Sequence, residues 1–149
     1  MISDRLRDLG IALPPVSPPV GSYVGCVESD GMLYIGGHGP IAGDLTIRGK
    51  VGGELTLEDG RGAARMTALS ILATVESEIG LERISRIVRV FGMVNVAPGF
   101  TRTPEVIDGC SDLLLEIFGE AGRHTRAAVG MAELPFGIAV EIEMIAKLH

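Results

Sequence analysis

Thr125–Leu148 reads TRAAVGMAELPFGIAVEIEMIAKL, two apolar segments joined at Pro135-Phe136-Gly137. Small and β-branched residues dominate both segments and the joint holds turn formers, so the stretch predicts two strands, from about Thr125 and from about Ile138. Arg126 opens the first strand, and Glu141 follows 15 residues later in the second. A charge inside a core-forming strand is costly unless it is paired or used. Arg126 therefore has two readings. One is a structural ion pair with Glu141 or Glu143, or a strand end reaching solvent. The other is a guanidinium that grips a small carboxylic acid through two parallel hydrogen bonds. Glu141 and Glu143 are two residues apart and share one strand face, while Val140, Ile142 and Met144 line the other. Ile145 shares the glutamates' face, which argues against a plain solvent stripe. A partly buried carboxylate there has its pKa raised and exchanges protons near neutral pH.

Working back toward the N-terminus, Ile87–Val96 is nearly continuous apolar β sequence, the mark of a strand buried on both faces or at an interface. Two helices flank it. The first starts at Thr56, which with Asp59 forms a capping-box pattern. Ala64, Leu69, Leu72, Val75 and Ile79 follow at near-helical spacing, and Gly80 is the stop. The second takes Thr103 as N-cap and Pro104 at its first position, and ends at Gly119. Upstream, Tyr23–Val27 and Met32–Gly36 around Ser29-Asp30-Gly31 read as a hairpin, and a short strand is expected at Leu45–Ile47 in the glycine-rich loop that follows. Residues 1–20 form a short helix from Ile2 to Leu9, stopped by Gly10, and a proline-rich arm that must run extended.

The order β-β-α-β-α-β-β, with both helices free to cover one face of a mixed sheet, is α+β and fits a single domain over residues 1–149. No sequence remains to cover the other face. With 46% hydrophobic residues and a positive mean hydropathy, a homo-oligomer is the economical expectation.

A net charge of −6 and the absence of any basic run speak against nucleic acid as a partner. Cys26 and Cys110 have neither metal-ligand nor disulfide-framework spacing. No apolar run approaches a membrane span and the N-terminus lacks the apolar block of a signal peptide, so a cytoplasmic protein is expected. No histidine pair has metal spacing, and no metal is expected. His38, in the Gly36–Gly39 loop after a strand, is either a ligand contact or a structural histidine. GRGAAR (Gly60–Arg65) lacks a complete phosphate-binding pattern, and Cys110 sits between Asp108 and Asp112, which disfavour a thiolate.

Taken together, VGSYVG, GMLYIGGHGP, the helix between, and TRAAVGMAELPFGIAVEIEMIA resemble the Rid/YjgF family of reactive intermediate deaminases from about Tyr23 to Lys147. The most specific part is the pattern R-x-x-V-x-V-x-x-L-P-x-x-x-x-V/I-E-I/V-E, matched here with Gly130 and Met131 in its middle. The N-terminal leader and DLLLEIFGEAGRHTR point to a less-studied branch. The resemblance implies a chorismate-mutase-like fold, a homotrimer with a barrel-like core, and clefts between subunits that bind a small carboxylate or imine. It also implies cofactor-free hydrolysis of 2-imino or 2-enamino acids to 2-keto acids and ammonia. Arg126 matches the substrate-carboxylate arginine, Glu141 the glutamate that handles the attacking water, and Tyr23 a tyrosine lining the cleft. Asp108 stands where many members have asparagine. Gly37, His38 and Phe91 complete the expected substrate-binding set. Gly36 departs from the usual hydroxyl residue, and Ala128 stands where many members have cysteine. A non-catalytic trimer that binds small carboxylates is the competing expectation. Ribonuclease, an old family label, is disfavoured by the acidic charge.

Overall fold

The two strands of the Thr125–Leu148 stretch form as expected, but they do not pair with each other. In the computed structural model, which describes Met1–His149, a third strand runs between them. The elements are α1 (Ile2–Asp8), β1 (Cys26–Ser29), β2 (Met32–His38), β3 (Ile41–Ala42), β4 (Leu45–Thr46), α2 (Leu57–Glu78), β5 (Ile84–Asn95), α3 (Thr103–Phe118), β6 (Thr125–Met131) and β7 (Val140–Leu148). Five strands make one mixed sheet in the order β1-β2-β7-β5-β6, while β3 and β4 form a separate small hairpin. Only β5 and β6 run parallel, joined by the crossover helix α3.

Alternation decides which face is covered. On β7, Val140, Ile142, Met144, Ala146 and Leu148 are buried under α2 and α3, and on β5 so are Ile84, Ile87, Val90 and Val94. Ile71, Leu72, Val75, Ile107, Leu113 and Leu114 meet them from the helices. The helices themselves pack closely: a Cβ at Gly109 of α3 would run into the Arg61 carbonyl of α2. The opposite sheet face has no cover within the chain. There Val27, Tyr34, Ile145 and Arg89 lie side by side across four strands, with Phe91 and Met93 further along β5. No helix is long and apolar enough to cross a membrane.

Several boundaries move, each for a local reason. The first strand begins at Cys26 rather than Tyr23, because 20–23 bend and the Tyr23 hydroxyl accepts from the Val20 amide at 3.2 Å. β2 continues to His38 across a bulge between Ile35 and His38. β5 starts three residues before the expected Ile87, at Ile84. Thr56 and Asp59 do form the reciprocal capping box. Thr103 is not the N-cap of α3. Arg102 holds that place, and the Thr103 hydroxyl instead donates to the Ala128 carbonyl at 3.0 Å, tying the helix start to β6. The N-terminal helix is pinned too: Ser3 donates to Glu82, and Arg5 Nε to the Glu116 carbonyl at 2.8 Å.

Candidate functional site

The bulge that extends β2 shapes a pocket of about 420 Å³ between the proline-rich arm, the end of β2, α2 and β7. Tyr23, Gly37, His38, Thr74, Phe136 and Glu141 are among its walls. Glu141 lies on the uncovered sheet face beside Gly37. A Cβ at Gly37 would come within 3.1 Å of the Glu141 carboxyl carbon, so glycine lets the carboxylate lie against the backbone. Burial, and secondarily the like charge of Glu143, raise the Glu141 pKa above the usual glutamate value. No cation is paired with it.

His38 projects to the other side of β2, toward α2. Its Nδ1 lies 2.8 Å from the Gly36 carbonyl, which only accepts, so Nδ1 carries the proton. Nε2 must then accept from the Thr74 hydroxyl at 2.9 Å. Burial lowers its pKa despite the Gly36 carbonyl, keeping the ring neutral. Both nitrogens are thus engaged in fastening the bulge to α2, and His38 borders the pocket as a brace rather than a free base. Tyr23 forms an outer wall from the arm and is 54% exposed.

Arg126 lies elsewhere. It pairs with Val90 on the helix-covered face, at the β6 edge of the sheet. Glu141 faces Met93, which faces Val129, so the two are separated by one intervening strand and three positions of register, on opposite faces. The partner of Arg126 is neither Glu141 nor Glu143 but Asp108 of α3. Nη1 donates to Asp108 Oδ1 at 2.7 Å and to Ser111 Oγ at 3.1 Å, and Nη2 to the Pro104 carbonyl at 3.2 Å. The expected structural pair of glutamate and arginine fails because strand parity turns the glutamates away. Phe91 stands apart from both clusters, opposite Glu143 on the open face, with the Arg89 guanidinium 5.4 Å above its ring. One chain therefore gathers Tyr23, Gly37, His38 and Glu141 in one place, and Arg126 with Asp108 in another.

Residues missed from the sequence brace both places. Ser70, Thr74 and Glu78 border the pocket from α2 at four-residue intervals, a polar stripe within an apolar helix that could have been read. Ser111 and His124 stand behind Arg126. His124 Nδ1 donates to the Gly122 carbonyl, so Nε2 accepts the Ser111 hydroxyl proton at 2.9 Å, which frees the Ser111 oxygen to accept from Arg126. Both thiolates are disfavoured: burial pushes Cys110 up to about 12, and burial with the Glu78 charge raises Cys26.

Comparison with known proteins adds to this geometry. Residues 3–148 match the family model described as "YjgF/chorismate_mutase-like, putative endoribonuclease". The chain is 40% identical over 153 aligned residues to Protein TCP17 of Trypanosoma cruzi, covering 99% of this chain and 94% of that protein. It is similar to the solved structure of Atu1372 from Agrobacterium tumefaciens, a protein of unknown function, at 37% identity and a TM-score of 0.90 over 99% of this chain and 92% of that one. A Shewanella oneidensis "putative endoribonuclease" is 34% identical with a TM-score of 0.94, covering 99% of both chains.

Proposed function

Because the chain belongs to the YjgF/chorismate-mutase-like family, we propose that it hydrolyses reactive 2-imino or 2-enamino acids to 2-keto acids and ammonia. The observation that carries this reading is Glu141, a half-buried carboxylate without a cation, facing a pocket of suitable size. Such a group holds its proton more readily than a solvated glutamate and passes it on to a bound substrate. It orients water toward the imine carbon. Water adds across the C=N bond to give a carbinolamine, and Glu141 carries the two water protons in turn to the nitrogen, so that C=O forms as the C–N bond breaks and ammonia leaves.

The carboxylate anchor comes from a second copy in this reading. The pocket lies toward the β1–β2 side of the sheet and Arg126 at the β6 edge, and a heterologous ring joins unlike edges. A homotrimer closed in that way also buries Val27, Tyr34, Phe91 and Met93 on the uncovered face. Arg126 then fixes the substrate carboxylate while Glu141 of the neighbouring copy faces the imine carbon, which gives positioning as well as electrostatic stabilisation.

The test is to generate 2-aminoacrylate in situ and follow keto-acid release above the spontaneous rate. The wild type should accelerate release and Arg126→Ala should not; equal rates for the two would sink the mechanism. A second reading, a trimer that binds small carboxylates without turning them over, is favoured by the separation of Arg126 from Glu141 on opposite faces of the sheet. It predicts saturable binding of a 2-keto acid with no acceleration of any imine.

A further inference from the structure

The Arg126 end of the site carries more information than an anchor requires. A guanidinium has five N–H donors. Three are committed, two on Nη1 to Asp108 and Ser111 and one on Nη2 to the Pro104 carbonyl. The Nε hydrogen and the second Nη2 hydrogen have no protein partner. Asp108 uses only Oδ1, and its side chain is 40% exposed against 22% for Arg126. Two guanidinium hydrogens and one carboxylate oxygen of the same ion pair are therefore left without a protein partner. The Ser111–His124 chain holds the guanidinium in this orientation from behind, so the arrangement is fixed before any ligand arrives.

We propose that Asp108 makes this end a receptor for acids that carry an N–H donor next to their carboxylate, an amino or iminium acid, and turns it against the corresponding 2-keto acid. The inference rests on the reading of Arg126 as substrate anchor. A bare carboxylate meeting Arg126 also meets Asp108, a like charge that has already neutralised the arginine. An iminium or amino acid places its nitrogen donor on the free Asp108 oxygen while its carboxylate takes the open guanidinium donors. Hydrolysis replaces C=N–H by C=O. The product then aims a lone pair at Asp108 where the substrate aimed a proton, and is expelled. An asparagine at this position would offer an N–H that donates to the keto oxygen, so the acidic residue makes selective a site that would otherwise take both acids.

Alanine and pyruvate share a carbon skeleton and differ at this one group, which makes them stable probes. Titration of the full-length protein with each, by calorimetry or ligand-observed NMR, should show alanine binding on the order of tenfold tighter than pyruvate. In Asp108→Asn, which keeps the shape and the Arg126 hydrogen bond, that preference should vanish or invert. An unchanged ratio in Asp108→Asn, a wild type that prefers pyruvate, or a wild type that binds neither probe would each overturn the assignment to Asp108. Arg126→Gln separates the two layers. If it leaves both affinities intact, the anchor reading fails. If it weakens both while Asp108→Asn leaves the ratio alone, the anchor stands and the selectivity falls.

Discussion

The pocket and the β6 edge each hold a partly exposed carboxylate, and the fold treats the two oppositely. Asp108 has its cation 2.7 Å away, on a guanidinium braced by Ser111 and the Pro104 carbonyl. Glu141 has none, and its nearest charged influence is the like-charged Glu143. Strand parity is the cause. β6 turns Arg126 toward the helices, where α3 supplies an acid, while β7 turns Glu141 to the uncovered face, where nothing on the chain answers it. A charge answered internally defines shape and selectivity. A charge left unanswered is available for proton chemistry.

Removing the unanswered charge should have the largest effect. Glu141→Gln keeps the volume and loses the exchangeable proton, so imine turnover should fall by about 10²–10⁴. Glu143→Gln, on the same face but opposite Phe91, should cost much less. Equal losses would mean that the two glutamates act as a general field, and the distinction between them would collapse.

Next comes the answered charge. Arg126→Ala removes the cation from Asp108 and a partner from Ser111, and should lower thermal stability by about 1–2 kcal/mol, the cost of orphaning partly solvated polar groups. Glu141→Gln should do the reverse. The raised pKa of Glu141 means that the folded state binds its proton more tightly than the unfolded chain. Its contribution is fully present below the unfolded value and lost as pH rises through the folded one. At neutral pH the wild type therefore carries a penalty that Gln lacks. The unfolding temperature of Glu141→Gln should exceed that of the wild type at neutral pH, and the gap should close on acidification toward about pH 4. His38 and His124 shift the other way, with burial lowering both, so they add acid sensitivity as pH falls through their folded values. Subtracting the two proteins' curves cancels that background.

The same contrast explains what could be read from the chain in advance. Element order, the Thr56–Asp59 capping box and the parity of β7 followed from local chemistry and period-2 alternation, and all appear in the structure. Glu141 was legible for that reason, since parity and apolar neighbours define its setting. The Asp108 partnership was not. It depends on α3 crossing between the parallel strands β5 and β6, a tertiary placement that brings residues 18 apart together. Thr103 misled because it bears the chemistry of an N-cap, yet its hydroxyl is taken by the Ala128 carbonyl of β6. From the sequence His38 is either a ligand contact or a structural histidine, because the Thr74 hydroxyl that engages its second nitrogen lies 36 residues away in the chain.

The finest probe compares two adjacent glycines at the bulge. A Cβ on Gly36 would meet nothing nearer than the Gly25 carbonyl at 3.7 Å, ordinary packing. A Cβ on Gly37 would meet the Glu141 carboxyl group, with its carbon at 3.1 Å and Oε2 at 3.3 Å, and the carboxylate must swing by a few tenths of an ångström to make room. Neither glycine has a positive φ, so backbone strain drops out of the comparison and only the contact differs. Gly36→Ala should leave imine turnover near wild type, while Gly37→Ala should reduce it several-fold with unchanged folding, because small misplacements of a proton-transfer group are felt directly in rate. Thermal unfolding measured alongside keto-acid release makes the pair decisive. If Gly37→Ala retains full turnover with a normal unfolding temperature, the position of Glu141 against β2 is incidental to the chemistry.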